Sequence, residues 1–208
     1  MEIWDIVAPV YKTFVSSDKQ GYAHVQTFIR TFVSPSMRVL ELGCGPGNMT
    51  ERIASACGTV VATDASERMI RQAQKSVQID NVSFEVANAH NLPYPDGSFD
   101  AVVASNMFHV VEDPEQILTE AARVLRPGGS IIATSFITGT KRAQIMKQGL
   151  KVVNGKDHEF WDLTGFVNLF RDNGWTVHAG RRFSSIFPIA GVVATKTSVN
   201  AQRPSAIQ

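Results

Sequence analysis

The sequence predicts an α/β fold: a mostly parallel seven-stranded sheet with helices on both faces and an antiparallel hairpin closing its C-terminal end. Three observations carry this. Short apolar runs alternate with stretches of helical periodicity from residue 37 to residue 136. Helix start and stop signals fall between those runs. After residue 170 two longer β-type runs follow one another with no helix between them, as a hairpin requires.

The elements read in order. Helices are expected over about 3–15 and 19–33. Met37–Leu42 is a strand, and Met49, Ile53, Ala54 and Cys57 then recur at helical spacing. Thr59–Thr63 is the second strand; Ser66 caps the next helix, with Met69, Ile70, Ala73 and Val77 on one face. Val82–Val86 and Ala101–Ser105 are the third and fourth strands. Asp113-Pro-Glu-Gln is a helix start, with an acid at the cap, proline at the first helical position and Gln116 reaching back. Ile117, Ala121, Val124 and Leu125 form its inner face, Arg126-Pro-Gly-Gly ends it, and Ser130–Phe136 is the fifth strand. Residues 137–158 read as polar and irregular, Phe160–Arg171 as a helix, and Trp175–Phe183 with Pro188–Thr197 as the hairpin.

One domain is expected over residues 1–200. A helical cap occupies 1–34, a short insert 137–160, and 201–208 form a tail with nothing to pack. The chain is 44% hydrophobic and 19% charged, with a net charge of +1, so no long-range field steers it toward nucleic acid. Its N-terminus lacks the basic start and apolar core of a signal peptide, and no apolar run approaches the length of a membrane span. The expected location is the cytoplasm. Two cysteines, Cys44 and Cys57, make no disulfide framework, and neither they nor the five scattered histidines have metal-ligand spacing.

The chemistry concentrates in VLELGCGPGNMT, Val39 to Thr50, where glycines stand at 43, 45 and 47 directly after a strand. Glycines at a strand-to-helix turn let a ligand approach the backbone closely, and the helix start behind them offers free N–H groups. The spacing is ExGxGxG, which differs from the GxGxxG of dinucleotide binders. Asp64 ends the second strand about twenty residues on, where an acid can accept both hydroxyls of a ribose. ANAHNLPYPDGSFD follows the third strand, and SNMFHVVEDPEQILTEAARVLRPGG runs on from the fourth.

These four pieces, in this order, resemble the class I S-adenosylmethionine (SAM)-dependent methyltransferases, in particular the small-molecule, type 11-like branch with an N-terminal helix of FDxxA…Y type. The resemblance covers residues 1–135 well and the remainder loosely. It implies a single-domain Rossmann-like methyltransferase fold, SAM as cofactor with S-adenosylhomocysteine as product, and methyl transfer to a small-molecule acceptor by in-line displacement. It also implies roles. Glu41 would hold the methionine ammonium, Gly43, Cys44, Gly45 and Gly47 would floor the methionine and ribose, and Asp64 would take the ribose hydroxyls. Ala65 and Met69 would pack near the adenine. The family places Asp-Ala where this chain has Asn88-Ala89, whose carbonyl and N–H would meet the adenine amine and a ring nitrogen, with His90 beside them. Ser105, with the backbone of Ser105-Asn106-Met107-Phe108-His109, would border the methyl donor, and Tyr11 would lie over it.

Each position has a plainer reading as well. Cys44 is a small residue in a tight turn before it is a nucleophile. Asn91-Leu-Pro-Tyr94 precedes the fourth strand, whereas the Asn-Pro-Pro-Tyr box of amino-methylating DNA enzymes follows it, so no nucleic-acid partner is expected. His109, His158 and Tyr11 are the weak candidates for a catalytic group; His109 reads first as a structural or SAM-bordering residue, and Asp157-His158-Glu159 first as a solvated loop. His24 and His178 read as surface or packing residues. Phe14, Tyr22, Phe136, Ile145, Met146, Phe160 and Trp161 are the expected lining of the acceptor pocket. A non-catalytic SAM-binding or interaction protein and a nicotinamide-dependent oxidoreductase are the alternatives.

Overall fold

The computed structural model describes residues 19–154 and 160–197. Helix α1 (Lys19–Thr31) precedes strand β1 (Arg38–Leu42). Then come α2 (Thr50–Ala54), β2 (Thr59–Asp64), α3 (Glu67–Ser76), β3 (Val82–Val86) and β4 (Phe99–Ser105). A 3-10 turn, Phe108–Val110, leads to α4 (Pro114–Val124) and β5 (Leu125–Phe136). Helices α5 (Lys141–Asn154) and α6 (Leu163–Asp172) and strands β6 (Trp175–Phe183) and β7 (Ile189–Lys196) complete the order. The expected helix over 3–15, Tyr11, Phe14, Asp157-His158-Glu159 and the tail lie outside the described residues. No helix among those described is long and apolar enough to cross a membrane.

The seven strands run in the order β3-β2-β1-β4-β5-β7-β6. All neighbours are parallel except β7, which pairs antiparallel with both β5 and β6. The central strands carry apolar residues on successive positions because both faces are covered. Leu40, Val102 and Ile131 join one core, packed with Ile117, Leu118, Phe166 and Phe170. Their neighbours Val39, Val103 and Ile132 point the other way, into a core with Val25, Ile29, Ile53 and Ile70. The chain runs outward from β1 to β3 and then returns to place β4 beside β1, so the strand order reverses between those two. A crevice opens at that point beyond the carboxyl ends of the strands.

Four local expectations are corrected. First, residues 137–158 are not irregular: α5 spans 14 residues, and the Thr140 hydroxyl accepts from the Ala143 N–H at its start. Its sequence mixes Lys, Arg and Gln with apolar residues all round, and of the side chains described only Ala143 is buried, so it lacks the one-sided stripe that marks a packed helix. Second, the α4 helix stops at Val124, and Arg126-Pro-Gly-Gly already lies in β5. Leu125 pairs with Phe99, and the register shifts before Ser130 meets Ala101, with Gly128 at φ +79 in the interval. Third, Gln116 does not reach back to its own cap; its Nε2 donates to the carbonyl of His90, while the Asp113 carboxylate accepts from the Gln116 N–H. Fourth, α6 begins at Leu163, because Asp162 accepts from the Gly165 N–H and caps it there, leaving Phe160 and Trp161 ahead of the helix.

Arg123 on α4 fastens the long segment between β3 and β4. Its guanidinium donates to the carbonyls of Leu92 and Tyr94 and to the carboxylates of Glu120 and Asp96, at 2.7–2.9 Å. Glu120, itself buried, also accepts from the Leu92 N–H. Replacing Arg123 by Ala removes the donor to two carbonyls and leaves the buried Glu120 carboxylate with the Leu92 N–H. The expected loss is about 2–3 kcal/mol of stability, measured by chemical denaturation. A loss below about 0.5 kcal/mol would place this arginine with ordinary surface ion pairs.

Candidate functional site

The expected site residues meet at the mouth of that crevice. Gly43 and Gly45 follow β1, Asp64 and Ala65 end β2, Ala87–His90 follow β3, and Ser105 and Asn106 end β4. With Pro46, Thr63 and Met69 they line a cavity of about 170 Å³, closed on its far side by Met107, Val110, Val111 and Ile117. A smaller hollow of about 40 Å³ adjoins it, lined by Glu41, Cys44, Asn48, Met49 and Tyr22 as well as Gly43, Gly45, Ser105 and Asn106.

The three glycines answer to different constraints. All have positive φ, +63, +55 and +88 for Gly43, Gly45 and Gly47, so a side chain at any of them is strained. A Cβ on Gly47 would come within 2.9 Å of the Val77 side chain, so this residue lets the turn lie against α3. A Cβ on Gly43 would meet Met107 at 2.9 Å. A Cβ on Gly45 would touch nothing within 4 Å. It is bare on the cavity side, where a ligand would rest on it.

Asp64 holds that turn in place. One carboxylate oxygen accepts from the Gly45 N–H and the other from the Ser66 N–H, each at 2.9 Å. Ser66 in turn caps α3 by accepting from the Met69 N–H, as its sequence position predicts. Asp64 also lines the cavity.

Glu41 is 1% exposed, and its charged end has one described donor, the Thr50 hydroxyl at 2.6 Å. Burial pushes its carboxyl up to about 7; the Thr50 hydrogen bond works against this and the nearby Asp64 carboxylate adds to it. The Cys44 thiol is held well above its ordinary range, by burial first and then by Glu41 and Asp64. A thiol held protonated is a poor nucleophile, and Cys44 serves the turn by packing.

Asn106, expected only through the backbone of its segment, lines both cavities and is held by its side chain as well. It is buried, with φ +52, and its backbone N–H donates to the Thr134 carbonyl at 2.8 Å. Its side chain accepts from the Thr134 hydroxyl and donates to the Tyr22 phenol, both at 3.3 Å. An asparagine directly after a strand was the available signal, since asparagine tolerates the left-handed region.

His109 lines neither cavity. It is 4% exposed, with ring centroids of Phe136 and Phe160 at 4.9 and 5.4 Å and its Nδ1 3.4 Å from the Ser135 hydroxyl. Of the expected acceptor lining among the described residues, only Tyr22 borders either of these two cavities. Phe136 and Phe160 are buried against His109, Trp161 packs on Phe166, and Ile145 is 67% exposed on α5. Phe14 and the Met146 side chain lie outside the described residues, as does His158.

With this geometry in place, the likeness to known proteins is informative. Residues 40–133 match the family model of a methyltransferase domain. This match and the relatives that share it support a class I SAM-dependent methyltransferase. It is similar to the 27-O-demethylrifamycin SV methyltransferase of Amycolatopsis mediterranei, 40% identical over 105 residues, which are 48% of this chain and 39% of that one. It is similar also to the demethylmenaquinone methyltransferase of Clavibacter sepedonicus, 39% identical over 102 residues, 49% of this chain and 42% of that one. The match therefore spans about two fifths of the length of these curated relatives. In fold it is similar to the methyltransferase in complex with the Haloferax volcanii Trm112 methyltransferase activator, with a TM-score of 0.79 and 19% identity over 94% of this chain and 98% of that one.

The raised carboxyl of Glu41 gives a stability test with a definite sign. Its folded value near 7 stands above the ordinary 4.5, so its contribution is full below about 4.5 and is lost as pH rises through 7. Glu41→Gln removes that loss while keeping an oxygen for Thr50. The variant is expected to melt above the wild type at pH 8 and to converge with it at pH 5. Parallel melting curves at both pH values would show that Glu41 is not protonated on folding.

Proposed function

We propose that the chain binds SAM in the larger cavity and the adjoining hollow and transfers its methyl group to a small-molecule acceptor by in-line displacement. The observation that carries this reading is the pairing of a bare glycine turn with two carboxylates of different exposure. Asp64 is tied to the turn, and Glu41 is buried beneath the hollow. A buried acid with one described hydroxyl donor is matched to a cationic ligand group, which restores what burial takes from the carboxylate. The bare face of Gly45 is a floor that a Cβ would fill. The residues present fit the cofactor.

In this reading Glu41 holds the methionine ammonium and Gly43 to Gly47 lie beneath the methionine and ribose. Asp64 accepts from the ribose hydroxyls while keeping the turn closed. Ala65, Met69 and the Asn88–His90 segment border the base, and Ser105 and Asn106 border the reacting end. When bound, the cofactor supplies a methyl group already activated by its sulfonium. The chain's task is then alignment and exclusion of water, for which effective molarities of about 10⁵–10⁸ M are attainable without a dedicated base. The acceptor side fits a small molecule. The two carboxylates make the cleft hostile to polyanions, and the names of the two relatives carry small organic acceptors.

Calorimetry tests the cofactor. SAM is expected to bind and NADH not to. Asp64→Ala should lose about 1.5–3 kcal/mol of SAM affinity, as for a hydrogen bond to a charged group, and Gly45→Val should abolish binding in a protein that still folds. Unchanged SAM affinity in both variants would overturn the assignment, and preference for NADH would favour an oxidoreductase.

Turnover tests the absence of a base. With a methyl acceptor identified from a small-molecule panel, His109→Ala should slow single-turnover transfer by less than about tenfold, a barrier change under 1.4 kcal/mol. A thousandfold loss together with a missing limb in the pH profile would make that histidine a general base.

A further inference from the structure

Asn88 stands where the family carries an acid, and the expected substitute role was for its carbonyl to accept from the adenine amine. The hydrogen bonding around it says otherwise. The Asn88 Oδ1 accepts from the backbone N–H of His90 at 3.0 Å. Because a backbone N–H only donates, this contact alone fixes which end of the amide is oxygen, whatever the state of the neighbouring ring. The same Oδ1 lies 3.0 Å from His90 Nδ1. Both contacts crowd the acceptor end of the amide toward His90.

His90 is itself held. Its Nε2 lies 2.6 Å from the Glu112 carbonyl, and its own carbonyl accepts from the Gln116 side chain at 3.2 Å. These tethers anchor the segment after β3 to the start of α4, on the far wall of the same cavity. The Asn88 side chain therefore does not turn freely to suit a ligand. The Asn88 Nδ2 makes no hydrogen bond among the described residues, and Asn88 and Ala89 both line the cavity. What Asn88 has to offer a bound base is a donor.

We infer that His90 positions Asn88 so that its NH₂ group, and not its carbonyl, faces the base, making Asn88 a specificity-determining residue that leaves the 6-amino group of adenine unrecognised. The inference rests on the reading of the cavity as the SAM site. An exocyclic amine is a donor, so beside the Asn88 NH₂ it gains no partner. A purine that keeps the ring nitrogens but lacks the amine loses nothing there. An aspartate at 88 has no donor to present; its second oxygen would accept from the amine.

The experiment uses the full chain and two ligands, S-adenosylhomocysteine and its 6-deamino analogue carrying unsubstituted purine. Wild-type protein is expected to bind them within about threefold of each other. Asn88→Asp is expected to tighten S-adenosylhomocysteine and leave the analogue nearly unchanged, opening a preference of about tenfold or more for the amine, the scale of one hydrogen bond to a charged group. Asn88→Ala should bind both ligands alike, which separates loss of recognition from loss of the fold. A tenfold preference for the amine in the wild type, lost in Asn88→Ala, would show that the carbonyl faces the base and overturn the inference while leaving the cofactor reading intact. Binding of neither ligand to the wild type would overturn both.

Discussion

The carboxylate of Asp64 bridges two backbone N–H groups, that of Gly45 in the turn after β1 and that of Ser66 at the cap of α3. The site depends on this bridge. A turn with three residues in the left-handed region has no internal reason to stay in one conformation, since glycine loses more freedom on folding than any other residue. Tying its middle residue to the end of the neighbouring strand fixes the turn's height above the sheet. The cap of α3 is set by the same side chain, so the floor of the cavity and the helix beside it are positioned together.

The second constraint is electrostatic. Burial first, and the nearby Asp64 carboxylate after it, make Glu41 costly to charge and raise its carboxyl to about 7. The fold accepts that cost because the acid sits on a central strand whose position is fixed on both sides, by β2 and by β4. Strain of another kind appears on the opposite wall, where Asn106 is held in the left-handed region by Thr134 and Tyr22. Unfavourable charge and unfavourable backbone gather at one end of the central strands, and such gathering marks functional sites.

The sheet was legible in the sequence because β-type runs and capped helices alternate with little ambiguity. Ser66 and Asp113 cap the helices their positions indicated. The glycine turn and its two acids were legible through spacing, and Asn88 through its departure from the family pattern. Three things were not. Helix α5 was missed because its apolar residues do not gather on one side, and periodicity reports packing rather than helicity. The tether between Gln116 and His90 joins segments that become neighbours only once the sheet is assembled. The direction of the Asn88 amide depends on one backbone N–H two residues away, and no residue type announces it.

Helix α5 is held differently from every other helix described. Ala143 is the one buried residue among its described side chains, and Ile145 stands mostly in solvent. Little of the folding free energy is invested there, so substitutions along it meet weak purifying pressure from stability. It follows β5 at the carboxyl edge of the sheet. A lineage could rewrite this segment at little cost in stability while the glycine turn and its acids stay as they are.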